Sequence, residues 1–381
     1  MELREYRFDE ISVNYDKKRV PLSGAQREKR KGNYRYYGAQ GIIDYIDDFI
    51  FDGTYLLIAE DGENLKSKKQ NIAQVVNGQF WVNNHAHIVT GNGLCDTHYL
   101  CYLINSMDLS GYITGSAQPK LSQANLNAVT LLLPQIDVQK KIVGYLGKID
   151  EKIEINKQIN ENLLQQAQTL FYAWFVEYKP FGGIQPSDWK SISVYDLAEY
   201  INGAAFKKHE YADTGLPIIK IAELKNGITE STQHCCVEKD PKYYIKDRDI
   251  LFSWSGNPET SIDTFVWSMG DAILNQHTFR VVSKYEAPAF TFFLLKYLKP
   301  QFTHIASNKQ TTGLGHVTVK DLKRLQFCTD RQAIKDFNDL TMPIFEMIYS
   351  NCKESQGLSM LRDALLPKLM SGEIDISSLG I

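Results

Sequence analysis

The sequence predicts an α+β fold, in which two mixed α/β domains in a pseudo-twofold arrangement are linked by two long helices that form an antiparallel coiled coil. Two observations predict it. A helical pattern occurs twice in the 381 residues, beginning at residue 142 and again 195 residues later. Each copy closes a block of short strand-like runs that are separated by Gly, Asn and Asp turns. The chain is therefore expected to be an internal duplication with two separate functional faces.

The helical pattern is a stripe that repeats every 3.5 residues, which keeps one face of a helix against a partner helix. Its positions are Ile142, Leu146, Ile149, Ile153, Asn156, Asn160, Leu163, Ala167, Leu170 and Trp174 in the first copy, and Phe337, Thr341, Ile344, Ile348, Asn351, Ser355, Leu358, Arg362, Leu365 and Leu369 in the second. The predicted pairing residues are Ile149, Ile153, Asn156, Asn160 and Leu163, with Ile344, Ile348, Asn351, Ser355 and Leu358. Asparagine in such a stripe costs stability but fixes the register. The alternative is two independent amphipathic helices, each packed into its own domain.

Helix-breaking residues lie inside both helical blocks. Pro343 lies in the second block, and Gly144 and Gly147 lie at a similar depth in the first. Because proline and glycine disfavour helix interiors, each block is expected to have a short leading helix, a kink or break, and a long helix over 149–176 or 343–369. At 1.5 Å per residue, each long helix would be a rod of ~40 Å.

Turn and capping residues divide the chain into four segments. Pro180 and the pair Gly182–Gly183 end the first helical block, while Asp330 and Gly372 are the expected N-cap and stop signal of the second. The predicted segments are a first α/β domain over 1–133, a central helical region over 134–180, a second α/β domain over 181–329 with a linker over 181–188, and a C-terminal helical region over 330–381.

Short strings outside the helices also correspond. TYLLIAEDG at Thr54–Gly62 matches DILFSWSGN at Asp249–Asn257, and VNNHAHIV at Val82–Val89 matches LNQHTFRV at Leu274–Val281. The offsets drift between 192 and 195, as loop insertions would produce. Strands are predicted at Thr54–Ala59, Gln79–Val82, Leu216–Ile221, Ile250–Trp254 and Thr278–Val282.

The composition is that of a soluble globular protein, with 43% hydrophobic and 23% charged residues. No apolar run approaches the ~18 residues that span a bilayer. The N-terminus, MELREYRFDE, is too charged for a secretory signal. The six cysteines show neither a CxxC pair nor framework spacing, which favours reduced thiols and a cytoplasmic location.

The sequence lacks the motifs of catalysis. It contains no G-x-x-x-x-G-K-[ST] phosphate loop and no Asn-Pro-Pro-aromatic tetrapeptide, which an adenine N6-methyltransferase would use. His85 and His87 alternate onto one face of a strand, but no group of cysteines or carboxylates completes a metal site. We therefore predict no catalytic residue and no metal site.

Local charge indicates nucleic acid, although the formal net charge is −3. Basic runs occur in both halves. The candidates for phosphate contacts are Lys17, Lys18, Arg19, Arg27, Lys29, Arg30, Lys31, Lys66, Lys68 and Lys69 in the first domain, and Lys207, Lys208, Lys309 and Lys320 in the second. The candidates for base contacts are polar side chains in Gly-containing loops: Gln118, Ser255, Asn257 and Gln310. The alternative for a basic run is a solvated surface, and for residues 115–119 it is a turn that positions the following helix.

Several strings together resemble the specificity (S) subunit of type I restriction–modification enzymes over the whole chain. They are LLLPQIDVQKKIVGYLGKIDEKIEINKQINENLLQQAQTLFYAWFVEYKPF (Leu131–Phe181), LRDALLPKLMSGEI (Leu361–Ile374), FWVNNHAHIV, GSAQPKLSQANL, YINGAAFKKHEY and DILFSWSGNPETSID. The departures are DRQAIKDF in the second block, where the first has DVQKKIVGY, and the proline at position 343.

The resemblance implies a non-catalytic subunit that reads double-stranded DNA. Two target-recognition domains would each read one half of a split, asymmetric site, while the helical regions would set their separation and dock two methyltransferase (M) subunits. Two restriction/translocase (R) subunits would join for cleavage. S-adenosylmethionine, ATP and Mg would belong to those partners, and this chain would bind no cofactor. The competing hypotheses are a stand-alone, repressor-like DNA-binding protein with duplicated domains and a coiled-coil scaffold.

If the helix pair sets the distance between half-sites, inserting four residues within Asn156–Leu163 lengthens the spacer and leaves both half-site sequences unchanged. Methylome sequencing of cells that express the variant with its methyltransferase measures both quantities. An unchanged spacer would show that the helix does not set the distance.

Overall fold

The computed structural model describes residues 2–67, 70–115, 118–229, 231–310 and 313–376. The chain forms two compact units: the first runs to Asp150 and includes the segment from Met360 onwards, and the second spans Glu151–Ser359. Each long helix therefore contributes one part to each unit. The four predicted segments, which separate the helices from the domains, stay predictions.

The first unit alternates short strands with short helices and ends in a long helix. Its strands are β1 (Arg4–Arg7), β2 (Ser12–Asn14), β3 (Lys31–Gly38), β4 (Gly41–Ile46), β5 (Phe51–Ala59), β6 (Ala73–Val82), β7 (Ala86–Gly91) and β8 (Thr130–Leu133). The helices are α1 (Phe8–Ile11), α2 (Gly24–Glu28), α3 (Asn64–Ser67), α4 (Thr97–Ser106), α5 (Gln123–Asn127) and α6 (Ile136–Phe175), whose C-terminal part belongs to the second unit.

Six of these strands form one sheet in the order β2-β7-β5-β6-β3-β4. Neighbouring strands are antiparallel except β3 and β6, which are parallel. Helix α4 packs on one face of the sheet, where Tyr99 and Leu100 share a buried cluster with Leu56 of β5. Ile142 and Leu146 of α6 belong to the same cluster, so the long helix is part of this core.

The second unit contains shorter strands and more of them. Its strands are β9 (Lys190–Ser193), β10 (Ala198–Asn202), β11 (Tyr211–Ala212), β12 (Leu216–Ile219), β13 (His234–Cys235), β14 (Tyr244–Ile245), β15 (Ile250–Ser253), β16 (Ser255–Gly256), β17 (Asp263–Val266), β18 (Ala272–Leu274), β19 (Thr278–Ser283), β20 (Gly315–His316) and β21 (Gln326–Thr329). The helices are α7 (Val194–Leu197), α8 (Ile221–Asn226), α9 (Pro258–Ser261), α10 (Pro288–Tyr297), α11 (Lys299–Ser307), α12 (Val319–Arg324) and α13 (Arg331–Ser371).

The second unit repeats the connectivity of the first. Strand β9 pairs antiparallel with β21 as β1 does with β8. The order β10-β19-β15-β17 corresponds to β2-β7-β5-β6, and β12 lies parallel to β18 as β3 lies parallel to β6. A long helix follows in each case. The predicted α+β class and the internal duplication are confirmed.

Every predicted strand overlaps an observed one, but several ends differ. Strand β5 begins at Phe51 and β6 at Ala73, three and six residues before the predicted starts, and β19 ends one residue later, at Ser283. Two predicted strands extend too far at the C-terminal end. The strand predicted to reach Ile221 ends at Ile219, because the backbone N–H of Lys220 donates to Glu223 Oε2 at 3.0 Å and a helical turn begins there. The strand predicted to include Trp254 ends at Ser253. Apolar alternation alone does not mark such ends, because a short helical turn can begin with the same residue types.

Aromatic side chains dominate the core of the second unit. Phe171 and Phe175 of α6 lie against Phe290 of α10 and Phe337 of α13, with ring centroids 5.4 Å apart for Phe171 and Phe337 and 5.6 Å apart for Phe175 and Phe290. Helix α10 is buried around most of its circumference, from Ala289 to Leu295. A helix that is apolar on all sides needs such an environment.

The two long helices pair antiparallel. Asn156 Nδ2 donates to Ser355 Oγ at 3.2 Å, and Asn351 Nδ2 donates to Asn160 Oδ1 at 2.9 Å. Residue numbers rise along one helix as they fall along the other, which defines the antiparallel direction. The predicted coiled coil is confirmed, and the alternative of two independent helices is wrong.

The predicted break in each helical block is wrong. Helix α6 runs from Ile136 to Phe175 through both glycines, and α13 runs from Arg331 to Ser371 through Pro343. Pro343 is exposed, as is Asp339 one turn earlier, so water can satisfy the backbone carbonyl that proline leaves without a donor. Contacts with the partner helix along the rest of each helix offset the low helix propensity of these glycine and proline residues.

The ends of α13 agree with the prediction. Asp330 Oδ1 accepts a hydrogen bond from the backbone N–H of Ala333 at 2.7 Å, as an N-cap does. Gly372 adopts a φ of 78°, the left-handed conformation that ends many helices.

All six cysteines, which lie in the described part of the chain, are free. Among the described residues, none of the helices has the length and apolar character that crossing a bilayer requires.

Because Phe171 is fully buried among aromatic rings, Phe171→Ala is expected to lower the free energy of unfolding by about 3–5 kcal/mol. Tyr172→Ala, which truncates an exposed aromatic residue at the next position of α6, should change it by less than about 1 kcal/mol. Urea unfolding followed by circular dichroism compares the two variants. Equal losses would show that the ring of Phe171 does not contribute to the core as its burial implies.

Candidate nucleic-acid interface

One end of the large sheet in the first unit is built from loops held by backbone hydrogen bonds. Three of them define the frame: Glu60 N–H donates to His85 C=O at 2.9 Å, Leu121 N–H to Glu60 C=O at 2.8 Å, and Asn83 N–H to Tyr37 C=O at 3.0 Å. We call this region the first corner, comprising residues 16–19, 60–62, 83–85 and 118–120.

The second unit contains the same frame. Trp254 N–H donates to His277 C=O at 3.4 Å, Val317 N–H to Trp254 C=O at 2.8 Å, and Asn275 N–H to Ile219 C=O at 2.9 Å. We call this region the second corner, comprising residues 202–208, 254–257, 275–277 and 314–316. The backbone frame recurs, while the side chains attached to it differ.

Each corner contains a tight Asn-X-His turn. Asn83 Oδ1 accepts from the backbone N–H of His85 at 2.8 Å, and Asn275 Oδ1 accepts from that of His277 at 3.4 Å. An asparagine that bonds the backbone two residues ahead closes such a turn by itself. The middle residue is Asn84 in one turn and Gln276 in the other, and both are exposed.

Each corner also has an exposed lysine pair. Lys17 and Lys18 follow β2, and Lys207 and Lys208 follow β10, the strand in the equivalent position. The second pair follows Gly203, where an added Cβ would lie 2.2 Å from the carbonyl oxygen of Asn275, so only glycine lets this segment approach the turn. No acidic side chain of the described residues forms an ion pair with any of these four lysines. The pairs therefore present positive charge beside both turns.

Ion pairs fill the interior of the first corner. Arg19 Nη1 lies 2.9 Å from Glu60 Oε2, and Lys120 Nζ lies 3.3 Å from Glu60 Oε1. His87 is fully buried, with Nδ1 2.6 Å from Asp16 Oδ2 and Nε2 2.8 Å from the carbonyl oxygen of Leu121. Both ring nitrogens of His87 therefore lie within hydrogen-bonding distance of an oxygen.

These contacts lower the pKa values of the carboxyl groups of Asp16 and Glu60. Burial would raise the pKa of Asp16, but hydrogen bonds from His87 and the backbone N–H of Ile88, with the charge of Arg19, hold it below its usual range. Burial would likewise raise the pKa of Glu60, and its pKa is lowered because the contacts with Arg19, His87 and Lys120 outweigh that effect. Both groups are therefore held as carboxylates, which pair with Arg19 and, for Glu60, also with Lys120.

The second corner is aromatic and polar, and its described residues include no carboxylate. Trp254 is partly buried, stacks on Phe279 with ring centroids 5.6 Å apart, and donates from Nε1 to Asn202 Oδ1 at 3.1 Å. Ser255 pairs through its backbone with His316 in the β16–β20 ladder. Two equivalent frames thus present different chemistry.

The basic run that follows the first corner is largely neutralised by ion pairs. Arg27 Nε lies 3.0 Å from Asp44, Lys31 Nζ lies 3.0 Å from the same carboxylate, and Arg30 Nε lies 2.9 Å from Asp47. Within this run, Lys29 is exposed and forms no ion pair with a described residue. The predicted phosphate role of Arg27, Arg30 and Lys31 would compete with these contacts, as it would for Arg19.

The remaining candidates of the first unit lie near the loop before α5. Lys66 Nζ donates to the carbonyl oxygen of Gly115 at 2.9 Å, and Gln118 is exposed within the first corner. Lys68 and Lys69 lie outside the described residues. The backbones of Thr114 and Lys120 pair as an isolated bridge. The predicted turn over 115–119 includes positions 116 and 117, which lie outside the described residues.

In the second unit, Ser255 and Asn257 lie in the second corner. Asn257 Oδ1 accepts from the backbone N–H groups of Glu259 and Thr260 at 3.1 and 3.2 Å, so this oxygen caps α9. Gln310 and Lys320 are exposed. Lys309 donates to Asp321, and although burial would raise the pKa of this carboxylate, the bonds from Lys309 and Thr318 hold it below its usual range.

The sequence reasoning missed Asn84, Gln276, His277 and His316 as candidate contact residues. The signal was present, because VNNHAHIV and LNQHTFRV had already been matched between the two copies. Exposed polar residues at an equivalent turn of a duplicated fold are therefore additional candidates for contacts.

The duplicated fold and its two corners are typical of a binding protein that carries two copies of one backbone frame. Among the described residues, no three His, Cys, Asp or Glu side chains form a group that could hold a metal ion.

The chain belongs to the type I restriction modification DNA specificity domain family, whose model matches residues 4–165 and 186–328. The two matched stretches correspond to the two copies of the fold. The chain is a specificity subunit of this family, and the predicted resemblance is confirmed.

Two relatives illustrate the likeness. The type I restriction enzyme MjaIX specificity subunit of Methanocaldococcus jannaschii is 27% identical over 307 residues, which cover 74% of this chain and 70% of that protein. The type I restriction enzyme HindI specificity subunit of Haemophilus influenzae is 22% identical over 406 residues, covering 85% and 84%. Both are specificity subunits, which confirms the prediction of a non-catalytic chain.

A solved structure supports the fold. The crystal structure of the S subunit of a type I restriction–modification system from M. genitalium matches with a TM-score of 0.57 at 14% identity, over 97% of this chain and 96% of that one.

We expect the first corner to lose stability in acid, because it contains the carboxylates of Asp16 and Glu60. Their pKa values are lowered in the folded state, so their stabilising contribution is complete above their unfolded pKa values of about 4 and is lost as the pH falls below them. Asp16→Asn should lower the free energy of unfolding at pH 7 and make it decline less steeply between about pH 5 and pH 2. Urea unfolding at a series of pH values tests this, and parallel curves for the two proteins would contradict it.

Proposed function

We propose that this chain reads a bipartite, asymmetric target in double-stranded DNA, one half with each corner, and directs methyltransferase and restriction subunits to it. The observation that supports this is the repetition of one backbone frame with different side chains, such as Glu60 and Asp61 against Trp254 and Ser255. Equal frames allow both units to approach DNA in the same way. Different side chains make the two half-sites different.

The charge distribution fits this role. The lysine pairs 17–18 and 207–208 are exposed, whereas five other candidate cations are paired with carboxylates: Arg19, Arg27, Arg30, Lys31 and Lys309. Phosphate contacts position a protein on the duplex, and polar side chains read base edges in the grooves. With a net charge of −3, attraction to DNA is confined to these local patches.

The proposed assembly contains two M subunits and two R subunits for each copy of this chain. S-adenosylmethionine would bind to the M subunits, and ATP and Mg would serve the R subunits. The absence of a phosphate-loop motif from the sequence and the naming of its relatives as subunits of type I restriction enzymes support this division of labour.

Methylome sequencing of cells that express this chain with its methyltransferase tests the proposal directly. A split motif with methylated adenine in both halves is expected, and the absence of any split motif contradicts the proposal. Replacing residues 185–329 with the equivalent domain of another family member should change one half-site alone. A change in both halves, or in neither, would show that the units do not read separately.

A salt titration tests the lysine pair of the second corner. The double variant Lys207→Ala/Lys208→Ala should weaken DNA binding by the complex with its M subunits equally for all sequences, and should reduce the slope of log K against log salt by about 2. The charge-matched control Lys190→Ala/Lys335→Ala removes two exposed lysines on β9 and α13 and should leave the slope unchanged. Equal slopes of log K against log salt for the two variants would show that Lys207 and Lys208 do not contact DNA phosphates.

A further inference from the structure

We propose that the middle residues of the two Asn-X-His turns, Asn84 and Gln276, are specificity-determining residues that read base edges, one in each half of the target. This inference rests on the proposed function and adds to it the side chains that do the reading. It arises from the equivalence of the two corners, from the exposure of these two amides and from the commitment of their neighbours to internal bonds.

The position of each turn is fixed by the fold. Asn83 is buried, its backbone N–H bonds to β3, and its side chain closes the turn. Asn275 makes the same two bonds in the second corner, to Ile219 of β12 and to His277. A side chain that reads bases must be held in a reproducible place, and these asparagines act as positioning residues for positions 84 and 276.

The backbone on either side of each turn is also held. Arg19 Nη1 donates to the carbonyl oxygens of Asn84 and Ala86, at 3.4 and 2.8 Å. In the second corner, the backbone N–H of Gln276 donates to the carbonyl oxygen of Ala204 at 2.9 Å, and Ala204 N–H donates to Leu274 C=O at 2.7 Å. Each turn is thus tied to the segment that bears the adjacent lysine pair, which places base-reading and phosphate-contacting groups together.

Three neighbouring polar groups are already engaged. His85 Nδ1 lies 2.8 Å from Asp61 Oδ2, Asn202 accepts from the indole of Trp254, and Asn257 caps α9. By contrast, the Asn84 side chain is exposed and bonds to no described residue. Gln276 Nε2 makes one long, exposed contact of 3.4 Å to His277 Nε2, which leaves its oxygen free.

A carboxamide suits this role chemically. It presents a donor and an acceptor side by side, the pattern that matches N6 and N7 of adenine in the major groove, whereas lysine offers donors alone. Glutamine reaches one methylene farther than asparagine, so the same frame can place the amide differently in the two half-sites. The inferred ligand of each amide is therefore a base edge, with adenine as the expected base.

The experiment uses the full-length chain in complex with its methyltransferase and a pool of random-sequence double-stranded DNA, with bound sequences identified by sequencing. Gln276→Ala should reduce discrimination at one base pair of one half-site by about 5- to 150-fold, and leave the other half-site unchanged. Asn84→Ala should do the same in the other half-site. Gln276→Glu, which keeps the shape but loses the N–H donors, should change the preferred base at the same position.

Gln301→Ala is the matched control, because Gln301 is an exposed glutamine on α11, outside both corners. It should preserve the preference at every position. If the wild-type complex selects a split sequence that neither Asn84→Ala nor Gln276→Ala alters, this inference is overturned while the proposed function stands. If the wild-type complex selects no sequence, the proposed function and this inference both fail.

Discussion

The antiparallel pairing of α6 and α13 is the interaction on which both compact units depend. The buried cluster of the first unit contains Ile142 of α6 with Leu369 of α13, and that of the second contains Phe171 with Phe337. A slip of one helical turn would therefore disturb two cores at once. The amide–amide bond between the partners in positions 160 and 351 disfavours a slip, because a shifted register would break this hydrogen bond.

The two units show how one scaffold can carry two different sets of surface side chains. The frame of each corner is made of backbone hydrogen bonds, which place few demands on side-chain identity. Side chains there are free to diverge, as Glu60 and Trp254 have done at equivalent positions. The first corner then contains a network of polar contacts in which Asp16 bonds to His87 and lies 3.4 Å from Arg19, whereas the second contains aromatic packing around Trp254.

Local sequence signals predicted the regular parts of this fold but did not show which of its cations form ion pairs within the chain. The stripe that repeats every 3.5 residues predicted the paired helices, because a helix removes such an apolar stripe from water by packing it against another helix. Pro343 was overestimated as a breaker, since its effect depends on whether water reaches the carbonyl of Asp339. The cations at 27, 30 and 31 looked available in the sequence, but their partners Asp44 and Asp47 lie on a different strand or loop, and a linear reading does not bring them together.

The sequence by itself determined the duplication, the helix pair, the family and the absence of a catalytic motif. Each of these can be recognised from a periodic pattern or from a run of adjacent residues. Only the tertiary structure decided which polar groups are available for recognition. A hydrogen bond or ion pair depends on distances between residues far apart in the chain, so burial of Asp16, capping by Asn257 and the exposure of Asn84 and Gln276 follow from the folded contacts. Polar side chains without an internal hydrogen bond are the ones available to a ligand. The folded structure decides which side chains these are, because most internal hydrogen-bond partners are distant in the sequence.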